Sequence, residues 1–244
     1  MPENILEKGK GHRKRLRDKF LDAGLNGFSD YEVIELLLTL GTPRKDCKEA
    51  AKDALSRFGS IQDVFEAPEN ELSEIKGIGS VNVFGLKLIK AVSERYLLKK
   101  LINQNPITNS NDLINYLNLK IRDKNIESFE VIYLNAKNRI IHAETLFEGT
   151  LSASSVYPRE VIKKALANNA AALIFAHNHP SGDPEPSTED VTITKHLFVA
   201  CKLMGITVHE HMVTGNNKTY SFADNGFMSK FNNEFNNSGI LGVV

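Results

Sequence analysis

The stretch FAHNHPSGDPEPSTED, residues 175–190, constrains the fold more than any other part of the chain. It overlaps the end of an apolar run, AAALIFA, whose length and composition predict a short buried strand. Three prolines and a glycine after the second histidine prevent the chain from continuing as a strand or a helix. Ser187 and Asp190 then have the S-x-x-D spacing of a helix start. The stretch therefore predicts a strand, a rigid loop and a capped helix that returns toward the strand end.

Two histidines lie where this strand ends, and their spacing predicts a metal site. His177 and His179 are two residues apart, and side chains at i and i+2 on a strand point to the same side. The returning helix brings Asp190 toward both of them. Two imidazoles and a carboxylate suit zinc, and three protein ligands leave a fourth position for water. Asp190 could instead act only as the partner of Ser187 in a capping box, and from spacing alone both interpretations stay open.

A second pair of histidines repeats the spacing. His209 and His211 occur in VHEHMV, where neither a proline-bounded loop nor a nearby third ligand accompanies them. We expect His211 to be a core or edge histidine, and we therefore expect a single zinc ion.

The composition is that of an ordinary globular protein. Apolar residues make up 41% and charged residues 25% of the 244 positions, which argues against a disordered or fibrous chain. Thirty Lys and Arg balance thirty Asp and Glu, so no overall charge favours nucleic acid or a membrane surface. Two cysteines occur, and no apolar stretch reaches the length of a membrane span. We therefore expect a cytoplasmic protein with no membrane partner.

The first hundred residues predict a helical domain. Residues 29–41 begin with a cap at Ser29, carry apolar residues at helical spacing and stop at Gly41. Further helices are predicted over 47–58, 60–65, 69–75 and 81–96. The polar, uncharged stretch NQNPITNSN then breaks the pattern, and we place a domain boundary there. The helical domain is predicted to cover residues 1–102.

Beyond this boundary, strand and helix patterns alternate. The predicted strands are 129–135, 139–147, 170–176, 206–214 and 219–222, and the predicted helices are 110–117, 158–169 and 187–205. Strands interleaved with helices indicate an α/β or α+β domain, with a mixed sheet flanked by helices, over residues 108–227. Residues 228–244 are rich in Asn and Gly and predict a loosely held polar tail.

A glycine-containing turn lies between two of the predicted N-terminal helices. Lys76-Gly77-Ile78-Gly79 resembles the turn of a helix-hairpin-helix motif. Glycines let backbone N–H groups approach a phosphate at the start of the next helix, so Gly77 and Gly79 could contact a DNA backbone. Glycines also permit a tight turn in a small bundle, and the sequence does not decide between the two.

The residues of the opening stretch carry a family resemblance. His177, His179, Ser187 and Asp190 match H-x-H, then seven residues, Ser, two residues and Asp. This resembles the JAMM signature of JAB/MPN-type metalloproteins. The longer string HNHPSGDPEPSTED, preceded by EGTLSASSVYPREV, resembles the bacterial RadC family, with a match that runs from about residue 129 to 222.

The resemblance implies roles for these side chains. His177, His179 and Asp190 would bind one zinc ion. His211 matches a histidine of the family's late strand and could support one of these ligands from behind, although a core or edge position is preferred. Ser187 would donate a hydrogen bond to the oxyanion of a tetrahedral intermediate, where charge develops in the transition state. The implied enzyme is a zinc metallopeptidase of JAMM type that cleaves a peptide or isopeptide amide in a protein or peptide substrate.

The resemblance also implies an upstream glutamate as the general base. The family places this acid two residues before the aromatic residue that opens the first strand, which selects Glu127. Glu130 has the opposite strand parity and is the reserve candidate. The traditional description of the family as DNA repair proteins supports an alternative function, a DNA-associated repair or processing factor recruited through its helix-hairpin-helix domain.

Overall fold

The computed structural model describes residues 11–43, 45–105, 110–149, 156–216 and 218–238. The chain divides into an N-terminal unit, Met1–Ser93, and a C-terminal unit, Glu94–Val244. The division falls within a long helix, whereas the change in composition predicts a boundary near residues 103–107. The last turns of that helix belong to the C-terminal unit because Leu97 and Leu101 pack into its core.

The N-terminal unit is helical, as the sequence predicts. Its helices are α1 His12–Ala23, α2 Asp30–Gly41, α3 Lys48–Phe58, α4 Ile61–Glu66, α5 Glu69–Ser73 and the first part of α6, Ser80–Leu101. Ser29 precedes α2, and its backbone N–H donates to Glu32 at 3.0 Å in a capping box. Ile34, Leu38 and Val64 are fully buried in the core of this unit. Among the described helices, none combines the length and the apolarity that crossing a membrane requires.

The C-terminal unit is built around a mixed sheet. Its elements are α7 Ser110–Leu117, a π-helical turn Asn118–Arg122, β1 Ser128–Leu134, β2 Ile140–Glu148, α8 Pro158–Ala167, β3 Ala172–Asn178, α9 Thr188–Leu203, β4 Thr207–Gly215, β5 Lys218–Ser221 and α10 Phe227–Asn237. Five strands of the described residues form one sheet in the order β2-β1-β3-β4-β5. The strands β3 and β4 are parallel, and the other neighbours are antiparallel. The predicted fold class, a helical region followed by a mixed sheet with flanking helices, is confirmed.

Alternate residues of the central strands face two different helical layers. Phe129 and Phe175 pack in one core with α8, α9 and α10. Ile132 and Ile174 pack in another core with α7 and the π-helical turn. Because the side-chain period of a strand is two, and because Phe129 is the register partner of His177, the side chain of His177 lies on the α9 face.

The prediction of a loosely held polar tail is wrong for residues 228–237, because they belong to α10. Phe231 and Phe235 are 2% and 3% exposed, and the Phe231 ring centroid lies 5.9 Å from that of Phe198 in α9. The Asn-rich composition conceals an apolar face formed by Phe227, Phe231 and Phe235 at i, i+4 and i+8. The last residues of the predicted tail, 239–244, lie outside the described residues.

Candidate metal centre

Three side chains converge at the carboxyl end of β3. The Nε2 atoms of His177 and His179 lie 3.1 Å apart. The Oδ1 atom of Asp190 lies 3.3 Å from His177 Nε2, and its Oδ2 atom lies 3.3 Å from His179 Nε2. The structure therefore brings together the three residues that the sequence predicts as ligands, although they come from a strand, a loop and a helix.

The separations between these donor atoms fit a zinc ion. Zinc binds imidazole nitrogen and carboxylate oxygen at about 2.0–2.2 Å in tetrahedral sites, which places neighbouring donor atoms about 3.3 Å apart. The separation of 3.1 Å between the two nitrogens, and of 3.3 Å from each nitrogen to one of the two Asp190 oxygens, is close to this value. With one donor atom taken from each residue, the three atoms lie within 4.8 Å of one another. In the described part of the chain, these three residues are the one cluster of His, Cys, Asp and Glu with ligand geometry.

The loop after β3 fixes the ring of His179. The Asp183 carbonyl oxygen can only accept a hydrogen bond, and it lies 2.7 Å from His179 Nδ1. The Nδ1 atom therefore carries the hydrogen, and in the neutral ring Nε2 presents its lone pair to the metal site. The loop is itself fixed against the end of β4, because the Asn216 N–H donates to the Gly182 carbonyl oxygen at 2.8 Å. A Cβ atom on Gly215 would lie only 2.3 Å from the same oxygen.

Asp190 is held at the first turn of α9 by Ser187. Its Oδ2 atom accepts the backbone N–H and the hydroxyl of Ser187 at 2.8 and 2.6 Å, and Ser187 Oγ accepts the Asp190 N–H at 3.0 Å. Burial raises the pKa of the Asp190 carboxyl, but the facing imidazoles of His177 and His179, together with the Ser187 hydroxyl, lower it more, so the pKa lies below its ordinary value. The capping box and metal ligation are therefore compatible, since the cap holds an ionised carboxylate in place.

Sequence reasoning left out Thr194, and it offered His211 as support for a ligand without identifying which one. The Nδ1 atom of His177 lies 2.8 Å from His211 Nε2, and His211 Nδ1 lies 2.6 Å from Thr194 Oγ1. Burial lowers the pKa of His211 well below its ordinary value. The expectation of a core histidine is correct as to its burial, but no local pattern reveals its contact with a ligand. That contact depends on the parallel pairing of β3 with β4.

A cleft of about 600 Å³ opens beside the cluster and contains Glu127. Glu127 is half-buried, and its charge contributes to the raised pKa of His179, after the larger effect of the Asp190 carboxylate that faces the ring. The cleft is lined by Asn125, Ile126, Glu127, Gly149, His179, Pro180, Ser181, Ser187 and Asp190. The structure thus places Glu127 and Ser187 in the same cleft as the three donor side chains.

Glu130, the reserve candidate for the general base, lies elsewhere. It is fully buried, and its two carboxylate oxygens accept the hydroxyls of Tyr116 at 2.6 Å and Thr145 at 2.7 Å. Tyr116 belongs to the core on the α7 side of the sheet, whereas His177 lies on the α9 side. Burial raises the pKa of Glu130, despite the hydrogen bonds that lower it. Glu130 is therefore separated by the sheet from the donor cluster.

Comparison with known proteins agrees with this geometry. A family model described as a RadC-like JAB domain matches residues 107–227, and one described as UPF0758 N-terminal matches residues 10–84. A UPF0758 protein of Ruegeria pomeroyi is 38% identical over 228 residues, which cover 93% of this chain and the whole of that protein. Another, of Fusobacterium nucleatum, is 41% identical over 226 residues, or 90% of this chain and 97% of that protein. The chain belongs to the RadC family. Its C-terminal unit has the fold of JAMM-type metal-dependent hydrolases.

The second histidine pair of this RadC-family chain does not form a second metal cluster in the described residues. His209 Nε2 lies 2.8 Å from Asn138 Oδ1, at the opposite end of the sheet from the cleft. His211, two residues later, contacts His177 instead.

The N-terminal turn of the RadC-family chain lies in the UPF0758 N-terminal match. Gly77 has φ +99°, and a Cβ atom there would lie 3.2 Å from the Cβ of Ala50, so the turn requires glycine for its packing. The Gly79 N–H donates to Asn82 Oδ1 at 3.2 Å. Packing thus explains Gly77, and contact of either glycine with a DNA phosphate stays a prediction.

Proposed function

We propose that this RadC-family protein is a zinc-dependent hydrolase that cleaves a peptide or isopeptide amide, with Glu127 as its general base. The observation that supports it is the convergence of His177 Nε2, His179 Nε2 and a buried Asp190 carboxylate beside a cleft that also contains Glu127. Three protein donors leave a fourth position of a tetrahedral site open, which is typical of catalytic rather than structural zinc.

His177, His179 and Asp190 would hold the ion. A zinc ion bound there supplies a Lewis acid and makes hydroxide available near neutral pH. The hydrogen bonds of His179 to Asp183, of Asp190 to Ser187 and of His177 to His211 keep the donor atoms oriented before any ion binds. A preorganised set of donors avoids an ordering cost at each binding event.

Glu127 would move the proton. Its carboxylate would accept a proton from a water molecule in the cleft and pass it to the nitrogen of the leaving amine. A positioned acid or base of this kind contributes about 10²–10⁴-fold to the rate. Its half-buried position in the cleft supports this role, and the buried hydrogen bonds of Glu130 to Tyr116 and Thr145 argue against the reserve candidate.

Ser187 would donate its hydroxyl hydrogen to the oxygen of the scissile carbonyl. In the structure the Ser187 hydroxyl donates to Asp190, with 2.6 Å between Ser187 Oγ and Asp190 Oδ2. The proposed role therefore requires the hydroxyl to turn toward the cleft when substrate binds. The Ser187 backbone N–H, at 2.8 Å from the same oxygen, would continue to hold the Asp190 carboxylate during this rotation.

The test compares cleavage products in cells that contain the wild-type chain, Glu127→Gln or Glu130→Gln. New protein N-termini, and lysines freed from isopeptide bonds, should appear with the wild type and with Glu130→Gln but not with Glu127→Gln. Purified Glu127→Gln should still bind one zinc ion, because Glu127 is not a ligand. Zinc-dependent cleavage that persists in Glu127→Gln would refute the assignment of the base, and the absence of zinc from the wild type would refute the function.

A second candidate function is DNA binding by the N-terminal unit. The α2–α3 and α5–α6 turns line a single cavity of about 640 Å³, to which Lys45 also contributes. The Gly79 N–H donates to Asn82 and the Ile78 N–H donates to the Ile75 carbonyl oxygen at 3.0 Å, so a phosphate in this cavity would depend mainly on the charge of Lys45. The test is the affinity of the full chain for duplex DNA at several salt concentrations. Phosphate contacts predict affinity that falls as salt rises, and a salt-independent or unmeasurable affinity would exclude this function.

A further inference from the structure

A row of buried, hydrogen-bonded side chains connects two of the candidate metal ligands. It runs from the backbone of Asp190 through Thr194 and His211 to His177. Thr194 Oγ1 contacts the Asp190 carbonyl oxygen and lies 2.6 Å from His211 Nδ1. His211 Nε2 in turn lies 2.8 Å from His177 Nδ1. Thr194 and His211 are fully buried and His177 is 1% exposed, so water does not compete for these bonds.

The direction of each hydrogen bond follows from the chemistry of the groups. The Asp190 carbonyl oxygen can only accept, so Thr194 donates its one hydroxyl hydrogen to it. Thr194 Oγ1 must then accept the Nδ1–H of His211. With its hydrogen on Nδ1, the neutral ring of His211 presents an accepting Nε2 to His177. The His177 Nδ1 atom therefore carries a hydrogen, so Nε2, the atom that faces His179 and Asp190, is the ring nitrogen left to bind a metal ion.

We propose that His211, oriented by Thr194, is a positioning residue that fixes His177 in the tautomer able to bind the metal ion. The inference rests on the metal site of the proposed function, but it concerns the ring of His177 rather than the reaction. A hydrogen on Nε2 would block the donor atom, and a hydrogen-bond acceptor behind Nδ1 prevents that arrangement. The Asp183 carbonyl oxygen does the same for His179.

The surroundings of His211 support this role over simple packing. Its ring lies among phenyl rings, with centroids 5.5 Å from Phe129, 5.9 Å from Phe175 and 5.0 Å from Phe222. An apolar side chain would fill such a pocket without the cost of burying a polar ring. A buried imidazole is tolerated where both nitrogens are hydrogen-bonded, and here the partners of the two nitrogens are Thr194 and a candidate ligand.

The row also couples the two ligands mechanically. Asp190 contributes its carboxylate to the site and its carbonyl oxygen to the start of the row, while His177 lies at the other end. A displacement of the first turn of α9 therefore affects His177 through Thr194 and His211, as well as Asp190 directly.

Two matched pairs of variants test the inference in the full-length protein. His211→Leu removes the acceptor behind His177, whereas the side-chain oxygen of His211→Gln can replace it. Thr194→Val removes the hydroxyl at nearly constant shape, whereas Thr194→Ser retains it. We expect zinc affinity, measured by competition with a chelator, to fall about 10–100-fold in His211→Leu and Thr194→Val. The zinc affinities of His211→Gln and Thr194→Ser should remain within about threefold of wild type, because each variant keeps the hydrogen-bonding group that acts behind His177.

The ring nitrogens of His177, observed by NMR in the metal-free wild type, provide a readout that needs neither zinc nor activity. Nδ1 should carry a hydrogen that bonds to His211, and this hydrogen bond should be lost in His211→Leu. A wild-type ring without a hydrogen on Nδ1 would overturn the inference. So would unchanged zinc affinity in both His211→Leu and Thr194→Val. If the wild type binds no zinc, the proposed function fails, and the NMR result still decides whether His211 fixes the ring.

Discussion

His177 Nε2 and His179 Nε2 lie 3.1 Å apart, although β3 ends at Asn178, between the two residues. The backbone N–H of His179 still donates to the Thr214 carbonyl oxygen of β4 at 2.9 Å. The orientation of its ring depends on the loop, in which the Asp183 carbonyl oxygen accepts a hydrogen bond from Nδ1. The donor cluster is thus a product of three local structures, namely a strand end, a loop packed on β4 and a helix cap. Each can be weakened separately.

Replacement of Asp190 by Asn should abolish zinc retention. The amide lacks the charge of the carboxylate that faces both histidines. We therefore expect zinc affinity to fall by more than about 100-fold, which is more than the loss expected when only a hydrogen-bond partner of a ligand is removed. Because Asn can still accept from the Ser187 backbone, the helix should lose only about 1 kcal/mol or less. Zinc content after dialysis against a chelator measures the effect. Glu189→Gln, the same change of charge at an exposed neighbouring position of α9, should retain zinc.

Replacement of Gly215 by Ala should displace the loop backbone at residues 182–184 and so weaken the metal site. A Cβ atom there would lie 2.3 Å from the Gly182 carbonyl oxygen and 3.0 Å from the Pro184 nitrogen, so the loop backbone must move. We expect a loss of about 1–3 kcal/mol in the free energy of unfolding from overpacking. Zinc affinity should also fall about tenfold or more, because Asp183 between these residues orients His179.

Gly85→Ala is the control for this substitution, because nothing in the described residues lies within 4 Å of the added Cβ atom. It lies in α6 and should leave zinc affinity unchanged while stabilising the helix by up to about 1 kcal/mol. Calorimetric titration with zinc and chemical denaturation measure the two quantities. Equal zinc affinity in Gly215→Ala and wild type would show that the loop does not position His179.

Glu130 should make stability depend on pH. Burial raises the pKa of its carboxyl in the folded protein, so the fold favours the protonated form. The stability that this preference contributes is fully present below the unfolded pKa of about 4.3, and it is lost as pH rises through the folded pKa. Relative to wild type, Glu130→Gln should therefore gain stability as pH rises from 4 toward neutral pH. Denaturation of the metal-free proteins at several pH values measures the difference. A pH-independent difference for Glu130→Gln would contradict the prediction.

Much of the C-terminal fold could be predicted from the sequence because its signals are local. Runs of apolar and β-branched residues on either side of a turn mark β1 and β2, and Ser187 with Asp190 marks the start of α9. Strand parity also distinguishes Glu127 from Glu130, because residues an odd number of positions apart on a strand point to opposite faces of the sheet. These features depend on the properties of a few adjacent residues.

The features that could not be predicted depend on pairing between distant segments. His211 contacts His177 across 34 residues, and only the adjacency of β3 and β4 makes this possible. The contact of Gly215 with the Gly182 carbonyl oxygen has the same origin. By contrast, α10 was within reach of the sequence, because Phe227, Phe231 and Phe235 recur at helical spacing among asparagines. There the average polarity of the segment concealed its periodicity.

Phe231→Ala tests whether α10 belongs to the core of the C-terminal unit. The side chain is 2% exposed, and its ring lies within 6 Å of the Phe198 and Phe227 rings. Truncation of a buried phenylalanine leaves a cavity, so we expect a loss of about 3–5 kcal/mol in the free energy of unfolding. Leu203→Ala, in α9 and 51% exposed, should cost only about 0.5 kcal/mol. Urea denaturation measures both free energies of unfolding. Phe231→Ala should change zinc affinity little, because α10 contributes no residue to the donor cluster. A cost at Phe231 no larger than that at Leu203 would instead mean that α10 is detached from the core in solution.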